Sequence, residues 1–459
     1  MGGPRHLPVR IHVPHRCRGG SATSGVRRKF RWLVRRRLGI VRATMRDNRQ
    51  MMQANTIAFS PLRRWLAALA LLVAAGQAAA QAVTGPLVLL QDRQAAWVEF
   101  PVSARCDFRV FTLDDPMRVV VDFAGLDWPE APPPDPGPGA VAALRYGLFS
   151  PEWSRLVLDL ARPMRVAEAA FAAEGQTIRF GLRLEATDEA AFRAHAGAPR
   201  DALWSLAPAG PGLSLPLPRS RRQPGEPLTI VIDPGHGGID PGTMRGPLME
   251  KTIVLKAARI LADTLRATGR YRVILTRERD IFVPLSERVR IARAARADAL
   301  ISLHVNSEAT GQAQGVSVYT LSEKASDATA RRLAELENRA DVLAGLDLEG
   351  EGTALARVLV DLAQRETNAR SRRLAEAVVA TLAGADRLIG SNPHRSAGFW
   401  ISRAPDVPSL LIEMGFLTHP RDRARLASDA WLRELARDLT AALDAWAADD
   451  LARRGLTLR

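Results

Sequence analysis

Between residues 84 and 185 apolar side chains recur in short runs: Ala95–Phe100, Phe108–Leu113, Arg118–Phe123, Arg155–Leu160 and Thr177–Leu182. Turn signals such as Asp115-Pro116, and the Pro-rich stretch from Pro129 to Gly139, separate them. Short strands at that spacing predict a small all-β domain, a sandwich. Two of the runs echo one another. In Arg118-Val119-Val120-Val121-Asp122-Phe123 and Arg155-Leu156-Val157-Leu158-Asp159-Leu160 an arginine leads an apolar strand that closes on an aspartate and an apolar residue. They read as two similar strands of one sheet. Over residues 186–227 the pattern lapses into a linker rich in Pro, Gly and Ser, with one short helix expected over Asp188–His195.

From Leu228 the period changes. Apolar runs at Leu228–Ile232, Arg272–Thr276, Ala299–Leu303, Val316–Leu321 and Ser409–Ile412 read as strands. Helical patterns fall between them, over Thr252–Thr268 and Leu285–Ala297, then from near Thr353, and last over Trp431–Ala447. This alternation predicts an α/β domain over residues 228–450, with a mostly parallel, twisted sheet flanked by helices on both faces. In such sheets the ligand site lies beyond the carboxyl ends of the strands.

The formal net charge of the 459-residue chain is +15. Its distribution changes what that means. Residues 1–64 hold sixteen Lys or Arg and one acid, Asp47, which leaves 48 basic and 48 acidic residues in the remainder. The body is neutral, so a nucleic-acid partner loses its main support. The leader over residues 1–80 reads as a secretory signal. Arg63-Arg64 precede an apolar run from Trp65 to Ala75, and small residues follow, with A-x-A cleavage options after Ala80 or Ala82. The run is shorter than the ~20 residues that span a bilayer, so no stable membrane span is expected after cleavage. The paired arginines permit twin-arginine export. Residues 1–44 extend far upstream of an ordinary signal, which makes Met45, Met51 or Met52 the expected start. With Cys17 in the leader, Cys106 is alone in the mature chain, which excludes an intramolecular disulfide and leaves stability to the core or a metal.

Chemistry gathers at the strand exits. Leu228–Ile232 leads into Asp233-Pro234-Gly235-His236-Gly237-Gly238, a turn too glycine-rich for helix or strand. Ala299–Leu303 is followed by His304, and Ser409–Ile412 by Glu413. Glu250 stands at the start of the helix that follows the glycine-rich turn. Singly, each has a plainer reading: a turn histidine, a charge at a helix N-terminus, a buried ion-pair partner. Together, two His and one Glu with a fourth position open are a catalytic zinc pattern. We assign His236, Glu250 and His304 as ligands and Glu413 as general base and acid, its burial after an apolar strand raising its pKa. Asp233 and Asp240 are expected to form turns or to support the histidines. His394, in SNPHRSAGF, is a candidate substrate contact, and His419 reads as a loop residue.

Residues 228–447 resemble the catalytic domain of the zinc-dependent N-acetylmuramoyl-L-alanine amidases of the AmiC type. The resemblance is carried by IDPGHGGIDPG (232–242), MEK (249–251), TRERDIFVPLSERVRIA (276–292), ISLHVNS (301–307), VYTLSEKASD (318–327) and SAGFWISRAPDVPSLLIEMGFLTHP (396–420). The family's zinc ligands fall on His236, Glu250 and His304, and its catalytic glutamate on Glu413. Met249 and Asn306 depart from the usual Arg and Asp. FTLDDPMRVVVDFAGL (111–126) and LRYGLFSPEWSRLVLDL (144–160) resemble the AMIN domain, a β-sandwich linked to septal peptidoglycan. The resemblance implies a periplasmic enzyme of daughter-cell separation that cuts the amide between N-acetylmuramic acid and the L-Ala of the stem peptide. A zinc peptidase acting within the stem, and a non-catalytic wall-binding scaffold, are the alternatives.

The insertion after Leu321 has helical periodicity over Ala328–Leu343, through Leu333, Leu336, Ala340 and Leu343. An ordinary surface helix is one reading. The resemblance implies another, an autoinhibitory helix whose Glu335 or Glu337 meets the metal until a LytM-type activator draws it away.

Overall fold

The computed structural model describes residues 81–199, 226–343, 354–387 and 392–456. The leader, the linker over 200–225, and residues 344–353, 388–391 and 457–459 lie outside the described residues.

The N-terminal part pairs β1 (Gln81–Ala82) with β6 (Leu126–Asp127) and builds two four-stranded antiparallel sheets. One contains β2 (Val88–Gln91), β3 (Ala95–Val102), β10 (Thr177–Ala186) and β9 (Met164–Glu174). The other contains β4 (Phe108–Leu113), β5 (Arg118–Ala124), β8 (Trp153–Leu160) and β7 (Val141–Leu148). Alternate residues of both sheets, among them Phe100, Phe123, Leu156, Leu158 and Phe180, form one core between them. The repeated Arg-to-Asp motif has a structural meaning. β5 and β8 pair antiparallel, which sets Arg118 opposite Asp159 and Asp122 opposite Arg155. Arg155 Nε and Nη2 donate to Asp122 at 2.6 and 3.0 Å, with both side chains 0% exposed. Helix α1 (Glu189–His195) follows, capped by the Asp188 carboxylate on the Ala191 N–H.

The C-terminal part is a six-stranded mixed sheet. Strands β14 (Tyr271–Leu275), β11 (Leu228–Pro234), β15 (Ala299–Asn306) and β18 (Ser409–Phe416) are adjacent and parallel in that order. β16 (Ser317–Leu321) runs antiparallel to β18 and parallel to the edge strand β17 (His394–Ala397). A small hairpin, β12 (Met244–Arg245) and β13 (Leu248–Met249), leads into α2 (Glu250–Ala267). Ile230, Ile232, Ile301 and Leu410 face α2, α6 (Ala354–Gly384) and α8 (Asp429–Leu456). Val231, Leu300 and Leu411 face α3 (Leu285–Ala294) and α4 (Ala328–Glu337) on the opposite side. A strand apolar on both faces is buried on both, which is why these runs are continuous in sequence.

Two details differ from the expectation. His304 and Glu413 lie inside longer strands, as cross-strand register partners, rather than just past them. The stretch 328–343 is two helices, α4 and α5 (Ala340–Leu343), broken at Asn338. Ala330, Leu333 and Ala334 make the buried face, while Leu336 is 56% exposed. The break has a cause: the Asn338 side chain turns to the Gly398 carbonyl at 2.9 Å and the Trp400 N–H at 2.8 Å. Helix α7 (Pro420–Leu426) completes the fold.

Candidate functional site

At the carboxyl end of β11 the chain leaves the sheet and turns back through a tight bridge, Gly237 to Asp240. His236 takes a left-handed backbone, φ 56°, which a non-glycine residue holds only where its surroundings fix it. Those surroundings are two buried arginines. Arg277 donates to the carbonyls of Pro234 (3.0 Å), Gly235 (2.9 Å) and Lys251 (2.9 Å). Arg288 donates to those of Pro234 (2.8 Å) and His236 (2.7 Å), and to Asp233 (2.7 Å). Burial and the neighbouring Arg288 push the Arg277 guanidinium down to about 10. Gly235 has no room for a side chain, because a Cβ there would lie 2.4 Å from the His304 ring.

Three ligand atoms meet in front of this turn. His236 Nε2 lies 3.1 Å from Glu250 Oε1, and His304 Nδ1 3.2 Å from the same oxygen. Glu250 is fixed independently, accepting from the Thr243 N–H and the Val305 N–H at 2.8 Å each. Asp240 Oδ2 contacts His236 Nδ1 at 2.8 Å, which turns Nε2 toward Glu250. Burial disfavours charge on His236, yet Asp240, Glu250 and Glu337 outweigh it and hold the imidazole well above its usual range. Burial likewise opposes charge on Glu250, and His236 outweighs it, holding the carboxyl below the usual carboxylate range. His236 Nε2 and His304 Nδ1 are buried without an aligned hydrogen-bond partner. Two orphaned ring nitrogens and a carboxylate oxygen within 4.8 Å of one another suit a divalent cation of the zinc kind.

Glu413, on the neighbouring strand, is buried with Oε2 unpartnered. Burial, then the charges of Glu250 and Glu337, push its carboxyl well above the ordinary range. Across the site stands α4. Its Glu337 carboxylate reaches His304 Nδ1 at 3.2 Å and His236 Nε2 at 3.5 Å. Burial raises its pKa as well. Glu335 is exposed and does not reach the histidines. Past the Asn338 break, Asp341 is buried and accepts the Leu285 N–H at 3.0 Å, at the start of α3.

The remaining candidates sit elsewhere. Asp233 supports the turn through Thr276, Ser302 and Arg288 rather than through a histidine. His394 Nε2 pairs with Thr320 Oγ1 at 3.0 Å on the β16–β17 edge. His419 caps α7. Sequence reasoning missed Arg277, Arg288 and the Asn338–Asp341 pair. Only the first two had a signal, arginines placed among apolar residues of a segment that must pack beside the glycine-rich turn.

Known proteins are similar to this chain in sequence. A family model described as N-acetylmuramoyl-L-alanine amidase matches residues 230–445. AmiC of Escherichia coli strain CFT073 is 31% identical over 372 residues, covering 76% of this chain and 86% of that protein. AmiC of Neisseria meningitidis serogroup B is 31% identical over 372 residues, with 77% and 87% covered. AmiA of Escherichia coli K12 is 36% identical over 221 residues, or 48% of this chain and 75% of that protein. The two AmiC matches run through both the sandwich and the mixed sheet, and by them the chain belongs to the N-acetylmuramoyl-L-alanine amidases of the AmiC type.

Proposed function

We propose that this amidase is a zinc enzyme that cleaves the amide between N-acetylmuramic acid and the L-Ala of the stem peptide in peptidoglycan. The observation that carries the reading is the convergence of His236 Nε2, His304 Nδ1 and Glu250 Oε1 beside an unpartnered Glu413. The chemistry zinc supplies when bound is polarisation of the amide carbonyl and acidification of a water. His236, Glu250 and His304 would hold it. Glu413 takes the water's proton and hands it to the departing amine, a role suited to a carboxyl whose proton affinity is raised by burial.

The same reading makes α4 and α5 an autoinhibitory strap. Glu337 stands against both histidines, and Asn338 and Asp341 hold the strap down. A LytM-type activator is the partner that would lift it. The sandwich serves as an AMIN domain for septal placement on the wall. The leader sends the protein to the periplasm, by the twin-arginine route in this reading, for daughter-cell separation. Among the described residues no helix is long and apolar enough to cross a membrane.

Digestion of purified sacculi with the zinc-loaded protein, read by mass spectrometry, tests the proposal. Free stem peptides beside intact glycan are expected. Shortened stems would mean a peptidase, and no release even with activator a scaffold. Deleting residues 328–343 should raise basal release at least tenfold in a folded protein; an unchanged rate ends the autoinhibition reading.

A further inference from the structure

The tip between β7 and β8 does not end in solvent. The Leu148 carbonyl accepts from two backbone N–H groups of the C-terminal part, Ile239 and Phe282, both at 3.2 Å. Ile239 lies in the turn that carries His236 and Asp240, and Phe282 in the loop between β14 and α3. One carbonyl thus staples two active-site loops to each other. Beside it, Phe149 stacks on Phe282 with ring centroids 6.1 Å apart and planes 11° off parallel. Phe111, Val120, Phe149 and Val157 of the sandwich share one small core with Ile239 and Phe282. Phe149 is backed by the Arg155 guanidinium, 3.4 Å over its ring, which Asp122 holds in turn. The two backbones are in close contact: a Cβ on Gly147 would lie 2.3 Å from the Gly238 carbonyl, and one on Gly238 1.8 Å from the Leu148 carbonyl.

From the far side the same turn is clamped by Lys251, whose Nζ donates to the Gly238 carbonyl at 2.8 Å and pairs with Asp280 at 2.7 Å. Asp280 also accepts the Gly238 N–H at 2.7 Å. The C-terminal part therefore supplies one jaw of a clamp on residues 237–240, and the sandwich supplies the other. Asp240 stands at the end of that clamp and orients His236.

We propose that the β7–β8 tip is a positioning element of the metal centre: Leu148 and Phe149 hold the 237–240 turn in place and, through Asp240, aim His236. The proposal rests on the metal reading above and goes beyond it, since it makes the wall-placement domain part of the catalytic framework. It predicts that separating the tip from the turn loosens metal binding with every ligand still present.

The test uses the full chain and three variants, Phe149→Ala, Phe282→Ala and the two combined. Zinc affinity is measured by chelator competition, and backbone exchange by mass spectrometry. Each single variant should bind zinc about tenfold more weakly and exchange the amides of residues 239 and 282 at least tenfold faster. The double variant should be no worse than either single, because both remove one contact. Amides of β5 and β8 should stay protected. Excess zinc should restore turnover. Gly147→Ala, which wedges the two backbones apart, gives the same test should Phe149→Ala unfold the sandwich. Faster exchange with zinc affinity within twofold of wild type overturns the proposal, as does a turnover loss that excess zinc leaves in place. A wild-type protein that takes up no zinc overturns the metal reading instead, so the two failures are distinguishable.

Discussion

Two of the buried clusters of charge among the described residues are built on opposite principles. In the sandwich, Asp122 receives two hydrogen bonds from Arg155 and one from Arg109, and the pair closes on itself. At the sheet edge, His236, His304 and Glu413 each keep a buried polar atom without a partner. Leaving such an atom orphaned costs about 1–3 kcal/mol. In the first, the Asp122–Arg155 pair needs nothing further. The second, in the reading proposed above, is completed by an ion from outside the chain.

Breaking each cluster in turn sharpens the contrast. The largest effect is expected from Glu413→Gln, which keeps the shape and removes the proton acceptor. Release of stem peptides should fall by about a thousandfold, on the order of 4 kcal/mol of barrier, with no loss of urea stability. An unchanged rate would remove Glu413 from the mechanism. Asp122→Ala should do the reverse, leaving Arg155 charged and unmatched in a dry core. A loss of about 3–5 kcal/mol of stability is expected from urea titration, and a smaller loss would mean that water reaches the pair.

Removing the ion comes next. A ligand at about a hundredfold excess over its Kd stabilises the fold by roughly 2.7 kcal/mol, so chelation should lower the melting temperature and zinc should restore it. The His236→Ala variant should not respond to chelator; if it does, the ion sits elsewhere. The smallest effect concerns the strap. Burial raises Asp341 to about 6 from 3.8, so its charged form weakens docking and its neutral form does not. Docking strength is therefore full below pH 4 and declines as pH rises through 6. Asp341→Asn removes the charge and keeps an acceptor for the Leu285 N–H. At pH 7 the variant's α4 amides should exchange more slowly than wild type by about a hundredfold, and at pH 4 the two should match. A gap independent of pH would exclude this carboxyl as its source.

Much of this was legible in the residues. Strands rich in Val, Ile and Leu, buried on both faces, announce themselves in the α/β part, and His304 and Glu413 could be placed on the sheet edge because strand ends share one side. Other features depend on tertiary contacts. β9 is rich in alanine and glutamate and lacks strand propensity; it is a strand because β10 supplies its hydrogen bonds. Leu336 falls on the apolar stripe by counting, but Asn338 finds backbone partners on Gly398 and Trp400, and the helix ends with Leu336 facing outward. The staple at Leu148 is a main-chain carbonyl, which carries no signature in any alphabet of side chains. Of Glu335 and Glu337, periodicity alone offered no choice.

The strap's three holds, Glu337, Asn338 and Asp341, fall within five consecutive residues and grip three different places: the histidines, the Trp400 turn and the start of α3. So short a lever cannot let go of one grip and keep the others. In the autoinhibited reading proposed above, the strap is thereby a latch with two positions instead of a dial, and its release is all or none.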